Sequence, residues 1–266
     1  LLRQVEVIEF DFLQPENALQ HFNKKVYDVA YYLIHSLGDT STTLKEYELR
    51  SVGCFILVSS LCQVRQIVYL GGISNVPKLS SHLLARKVVK DVIVNSGIPY
   101  TIFEAGIIVG SGSVSFEIIR DLTEKLPVMV VPRWLNSKCQ PIAIRNVINY
   151  LFRCLRDENT YFRTFEIGGP DVLSYKQMLL DFAEVRGYKR YIIAMPVVFP
   201  GLSAYWLYLT TSANFTIAKQ LVESMKNDVI CQENSIQDII PQELISYKDA
   251  IRMAFMRIKQ NMVVSS

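Results

Sequence analysis

The feature that most restricts this chain is an alternation of apolar runs with helix-period segments between Val5 and Val109. Val5–Phe10 sets apolar residues among Glu6 and Glu9 and ends at Asp11, which predicts a short strand. Pro15 and Glu16 open a helix with Ala18, Leu19 and Phe22 as its apolar positions. Val29–Ile34 is a continuous apolar run, as expected of a parallel strand covered on both faces. A helix is expected over Thr43–Leu61, then a strand over Ile67–Leu70 that ends in Gly71-Gly72. Over Ser80–Ser96 the residues Leu83, Leu84, Val88, Val89, Val92 and Ile93 recur at helical spacing, and Gly97 and Pro99 close that helix. Tyr100–Val109 reads as a further buried strand, ended by Gly110-Ser111-Gly112. Strands alternating with helices predict an α/β fold, a parallel sheet with helices on both faces.

The second half is less regular. Helices are expected over Phe116–Lys125, Ile144–Arg156 and Ser174–Arg186, the last capped by Ser174. Strands are expected over Val128–Val131, Thr164–Ile167 and Ile192–Val198, and further helices over Phe215–Met225 and Tyr247–Ile258. The expected division is residues 1–127 as the sheet domain and 128–266 as a smaller α/β lobe packed on it.

Half of the 266 residues are apolar and a fifth are charged, enough for a large core. A net charge of +3 with no long run of like charges argues against a nucleic-acid surface. The five cysteines form no C-x-x-C pair and no metal-like spacing with histidine, so no metal site is expected. They read as buried thiols of a reducing, cytoplasmic compartment. No basic-then-apolar signal opens the chain. Tyr191–Ala218 is the most membrane-like stretch, but Pro196, Pro200 and Gly201 interrupt it, so it reads as a buried or lid-like segment. Tyr205, Trp206 and Tyr208 leave a peripheral membrane contact open.

Three ordered segments point to a family. They are Asp28–Ser36, then Val64–Gly72 with the following helix and Ser96–Thr101, and then Gln140–Val147 with Phe165–Leu173. Together, from about Asp11 to Val229, they resemble the NmrA-like, NAD(P)H-binding branch of the atypical short-chain dehydrogenases/reductases. The resemblance implies a Rossmann-type sheet with a dinucleotide across the carboxyl ends of its strands. It implies NAD(P)H as cofactor, with NADP favoured, and hydride transfer to a small molecule whose identity it leaves open. Asp11 and Phe12 would meet the adenine side, and Leu33, Ile34 and His35 the ribose and pyrophosphate. Leu70, Gly71 and Gly72 would form the next wall, and Ala105, Gly106 and Ile107 would sit at the nicotinamide. Arg133, Trp134 and Gln140 fall in the substrate-facing region. Two bland readings stand beside these: Asp11 as the cap of a helix or turn, and the strand-end glycines as turn formers.

Two departures bear on function. The family's G-x-x-G-x-x-G turn, which holds pyrophosphate on a helix N-terminus, does not occur in this sequence. The chain opens at a point matching the family's third strand, so the expectation is a sheet without its first βαβ unit, in a fragment or a degenerate relative. The catalytic set also differs. Where the family carries Tyr and, four residues on, Lys, this chain has His82 and Arg86, and the Ser position reads Gly71-Gly72. His82 could act as an acid near neutral pH, and Arg86 could bind ribose or phosphate. The alternative is a helix-terminal histidine and a solvated arginine. The leading expectation is an NAD(P)H-dependent oxidoreductase. The alternative is a dinucleotide-binding redox sensor, assembly or scaffold protein without turnover.

Overall fold

The computed structural model describes residues 5–22, 25–34, 41–75, 80–195 and 226–264. A 3₁₀ turn over Pro15–Asn17 leads into α1 (Ala18–Phe22). Then follow β1 (Val29–Tyr32), α2 (Ser41–Leu61), β2 (Gln66–Gly72), α3 (Ser81–Val94) and β3 (Tyr100–Ala105). After β4 (Ile108–Val109) come α4 (Val114–Lys125), β5 (Val128–Pro132), β6 (Lys138–Cys139), β7 (Ile142–Ala143) and α5 (Ile144–Arg153). The remainder is β8 (Arg163–Ile167), β9 (Leu173–Ser174), α6 (Tyr175–Val185), β10 (Tyr191–Met195), α7 (Ile236–Ile239) and α8 (Tyr247–Val264).

Four parallel strands form the main sheet in the order β1-β2-β3-β8. Side chains alternate faces along each strand. Tyr32, Ile67, Tyr69 and Ile102 therefore share one face, packed with Val52, Phe55 and Val58 of α2 and Val89 and Ile93 of α3. Val68, Phe103 and Phe165 take the other face, against Val147 and Tyr150 of α5 and Ile236 of α7. Phe103 stacks on both Tyr150 and Phe165, with ring centroids 5.9 and 6.0 Å away. Burial on both faces of β2 and β3 is what their apolar runs predict, but the expected two-sided cover of Val29–Ile34 is not met: among the described residues β1 lies at the sheet edge, and Tyr31, Leu33 and Ile34 are exposed. This is the expected α/β fold, a parallel sheet covered on both sides.

A second core lies beyond β3. It joins Phe116, Ile119 and Leu122 of α4 to Met178 and Phe182 of α6 and Ile251 of α8. Small two-stranded pairings, β4 with β7 and β5 with β10, frame it. β8, although late in the chain, returns to the main sheet beside β3.

Two further sequence expectations change. Residues 5–10 form no strand, and Val5 and Val7 are exposed. A strand exists only against a hydrogen-bonding neighbour, and among the described residues none lies beside this segment. The run Tyr100–Val109 breaks at Gly106-Ile107, so that β3 stays in the main sheet while β4 pairs with β7. The expected strand residues 196–198, the helix over Phe215–Met225 and the aromatic cluster Tyr205–Tyr208 lie outside the described residues. Among the described residues no helix is long and apolar enough to cross a membrane.

Candidate functional site

Parallel strands bring their carboxyl ends to one edge, and ligands of such sheets sit in the crevice beyond that edge. Register places Tyr32 beside Tyr69, Gly72 beside Ala105, and Ala105 beside Ile167. The chain segments leaving this edge are Leu33-Ile34, Ile73–Asn75, Gly106-Ile107 and Gly168-Gly169. Leu33 and Ile34 are exposed there, Gly71 and Ala105 are buried, and Gly72, Gly106 and Ile107 are half-buried. Leu70 is turned into the core on the α5 side; it offers its carbonyl, which accepts from Arg86 Nη1 at 3.4 Å.

Helix α3 leans on this edge. Ser80 caps it, its hydroxyl accepting from the Leu83 amide. A Cβ built on Gly72 would come within 2.9 Å of Leu83 Cδ2 and 3.5 Å of Arg86 Cδ. The glycine thus lets α3 approach the strand end and lays the Arg86 stem across it. Tyr69 Oη donates to the Arg86 carbonyl at 3.4 Å. Burial pushes the Tyr69 phenol up to about 12, so this tyrosine is a core residue and not an acid. His82 is the second residue of α3, one turn before Arg86. Its side chain, with those of Arg133 and Trp134, lies outside the described residues, as does His35. Arg133 and Trp134 stand in a 3₁₀ turn over Arg133–Asn136.

Asp11 displays the capping geometry. Its carboxylate accepts from the Leu13 amide and from Gln14 Nε2, both at 2.9 Å, within its own turn. Phe12 packs on Phe55 of α2, with ring centroids 6.2 Å apart.

Gln140 is brought to the edge, but its side chain is engaged by protein. Nε2 donates to the Gly169 carbonyl at 2.8 Å, and Oε1 accepts from the Cys231 amide at 3.1 Å. Gly168 is needed here, because a Cβ would meet Gln140 Cδ at 2.6 Å and Cys231 Sγ at 2.8 Å.

Sequence reasoning missed an acidic pair. β3 and β8 repeat Phe-Glu-x-Gly in register, with Phe103 beside Phe165 and Glu104 beside Glu166. Neighbouring strands run about 4.8 Å apart, so two carboxylates at one register need separate partners. Glu104 is buried; Lys90 Nζ of α3 reaches it at 3.1 Å and Ser74 Oγ donates to it at 3.0 Å. Glu166 accepts from Asn75 Nδ2 at 2.9 Å and from the Gln232 amide at 2.6 Å. A charge inside each apolar run was the available signal, since a buried charge requires partners. Beside Glu166, the Cys231 thiol is pushed up to about 12, first by burial and then by the carboxylate's charge.

No family model and no curated protein matches this sequence. Solved structures do share its fold. A nucleoside-diphosphate-sugar epimerase from Staphylococcus aureus superposes with a TM-score of 0.72 at 13% identity, covering 93% of this chain and 84% of that one. A Citrobacter triphenylmethane reductase gives 0.69 at 18% identity, over 95% of this chain and 84% of that one. A UDP-glucuronic acid 4-epimerase from Bacillus cereus, solved in complex with NAD, gives 0.68 at 13% identity, over 95% and 78%. At these identities the likeness speaks for architecture, and the chain has the Rossmann-type fold of these epimerases and reductases.

Proposed function

We propose that this protein binds NAD(P)H across the carboxyl edge of its sheet and acts as an oxidoreductase on a small molecule. The observation that supports this best is the convergence of four strand ends with Arg86 laid over Gly72. The residues present suit a nicotinamide nucleotide. Gly72 lets the Arg86 stem lie across the strand end, Leu33 and Ile34 offer an apolar wall, and Arg86 offers a permanent cation. Bound there, the cofactor would supply a hydride. Arg86 would hold a ribose or phosphate oxygen, and His82, one helical turn away, would hold the proton that the reduced substrate takes up. Ala105, Gly106 and Ile107 would wall the reacting end. In this reading residues 1–127 carry the nucleotide side and 128–266 the substrate side, the latter lending β8 back to the sheet.

The test is titration of the purified protein with NADPH and, separately, NADH, followed by nicotinamide fluorescence. Saturable binding is expected, with affinity about tenfold weaker in Arg86→Ala, a change of about 1.4 kcal/mol. Absence of binding at millimolar cofactor would overturn the reading. A second reading, a dinucleotide-binding sensor or scaffold without turnover, is favoured by Gly71-Gly72 in the serine position and by the burial of Tyr69. NADPH oxidation with a carbonyl panel, lost in His82→Ala, selects the enzyme; binding without oxidation selects the sensor.

A further inference from the structure

Residues 228–232 lie as a strap across the carboxyl ends of β3 and β8. The Val229 amide donates to the Lys138 carbonyl at 2.8 Å, and the Gln140 amide donates to the Val229 carbonyl at 3.1 Å. The Lys138 amide donates to Asp228 Oδ1 at 2.7 Å. Val229 also lies over Gly106, where an added Cβ would stand 3.4 Å from its Cγ1. Beyond Val229 three side chains hold the strap. Gln140 takes the Cys231 amide, Asn75 Nδ2 donates to the Ile230 carbonyl at 3.1 Å, and Glu166 takes the Gln232 amide. Glu166 also takes Asn75, so one carboxylate ties together the loop after β2, the end of β8 and the strap. On the outer side the strap and Asn75 line a cleft of about 500 Å³. Asn75, Asn227, Asp228 and Gln232 give that cleft a polar wall.

We propose that Glu166 is a positioning residue for the substrate side of the site. By fastening Asn75 and Gln232 it holds the strap against Gly106, and the strap forms the wall that a polar substrate meets. This rests on the oxidoreductase reading and adds a residue and a segment that neither the resemblance nor the sequence pattern assigned. Gln140, expected to touch substrate, has the same holding role here. The chemistry favours a carboxylate: two N–H donors converge on Glu166, and hydrogen bonds to an ionised acceptor are the stronger kind. The amide in Glu166→Gln keeps one acceptor oxygen and turns a donor toward the other N–H, so one of the two ties fails.

The experiment has two arms on the full chain. In hydrogen exchange, the amides of Cys231 and Gln232 are expected to be protected in the wild type. They should exchange about tenfold faster in Glu166→Gln, while Tyr100–Ala105 of β3 stays unchanged. Equal exchange in both proteins, or loss of β3 protection along with the strap, overturns the latch. The second arm uses NADPH with phenanthrenequinone as the carbonyl probe. Glu166→Gln should raise KM for the quinone about fivefold with the NADPH Kd unchanged, the pattern of lost substrate-side binding. A parallel fall in NADPH affinity overturns the assignment. Asn75→Ala, which removes the ties to Glu166 and to the Ile230 carbonyl but leaves Glu166 on the Gln232 amide, should give the same pattern and replaces Glu166→Gln if that variant fails to fold. Failure of the wild type to bind NADPH overturns the oxidoreductase reading, and with it the substrate role; the exchange arm then decides the latch by itself.

Discussion

At the scale of single residues, the contacts that matter most are at the carboxyl edge. Glu104 and Lys90 form an ion pair with side chains 7% and 24% exposed. Removing one partner of such a pair strands the other charge in a poorly solvated place. Lys90→Met is therefore expected to cost about 3 kcal/mol, read as a lower urea midpoint, and Lys90→Met with Glu104→Gln should recover part of that loss. An additive double variant would show that the pair is not coupled. Gly72→Ala presses a methyl against Leu83, so a loss of about 1–3 kcal/mol is expected from overpacking. No loss would mean that α3 moves away freely.

The thiols give a pH dependence. Burial pushes Cys139 and Cys154 up from 9.0 to about 12, and Cys231 likewise with a further push from Glu166. In the fold these groups keep their protons; in the unfolded chain they lose them near 9.0. The stability tied to the protonated thiols is fully present below that value and is lost as pH rises toward 12. The urea midpoint should hold between pH 7 and 8 and decline above pH 9, by roughly the linkage expected of thiols held protonated. A flat alkaline profile would contradict the burial of these groups.

At the scale of elements, the Ser174 cap was legible, while the Ser113 cap was not: that helix was expected from Phe116 and starts at Val114. Ser80, Ser113 and Ser174 each accept from the amide three residues on, at 3.3, 3.2 and 3.1 Å. Each precedes a helical run, and each such cap contributes about 1 kcal/mol. Ser174→Ala should lower stability by that amount, while Ser174→Asp should not; equal losses would show that the hydroxyl does not cap α6. Strand ends were harder to see. Thr101 and Glu104 apart, Tyr100–Val109 is apolar on both sides of Gly106, so its hydropathy carries no mark of the break there, where the chain leaves one sheet to pair with β7. The segment Val5–Phe10 failed for the opposite reason: its alternation is strand-like, but strand formation depends on a partner edge.

At the scale of the whole molecule, the sheet and its two helical layers are one packed unit, and the α4–α6–α8 core extends it past β3. A ligand that binds only the folded state stabilises it by mass action. Cofactor at about 100 times its Kd should add about 2.7 kcal/mol, seen as a higher Tm with NAD(P)H. The gain should shrink in Arg86→Ala; an unchanged gain would remove Arg86 from the site.

The sequence by itself determined the alternation of main strands and helices from β1 to β3, the two-sided burial of β2 and β3 and the cap at Ser174. These depend on period, run length and side-chain chemistry within a few residues, so they can be read locally. Only the tertiary structure decided that β8 returns to lie beside β3, that Glu104 and Glu166 share a register, and that the 228–232 strap crosses the strand ends. Those contacts join segments far apart in the chain. What selects them is the need of each buried charge and amide for a partner, and the sequence names the charge without saying which distant group will meet it.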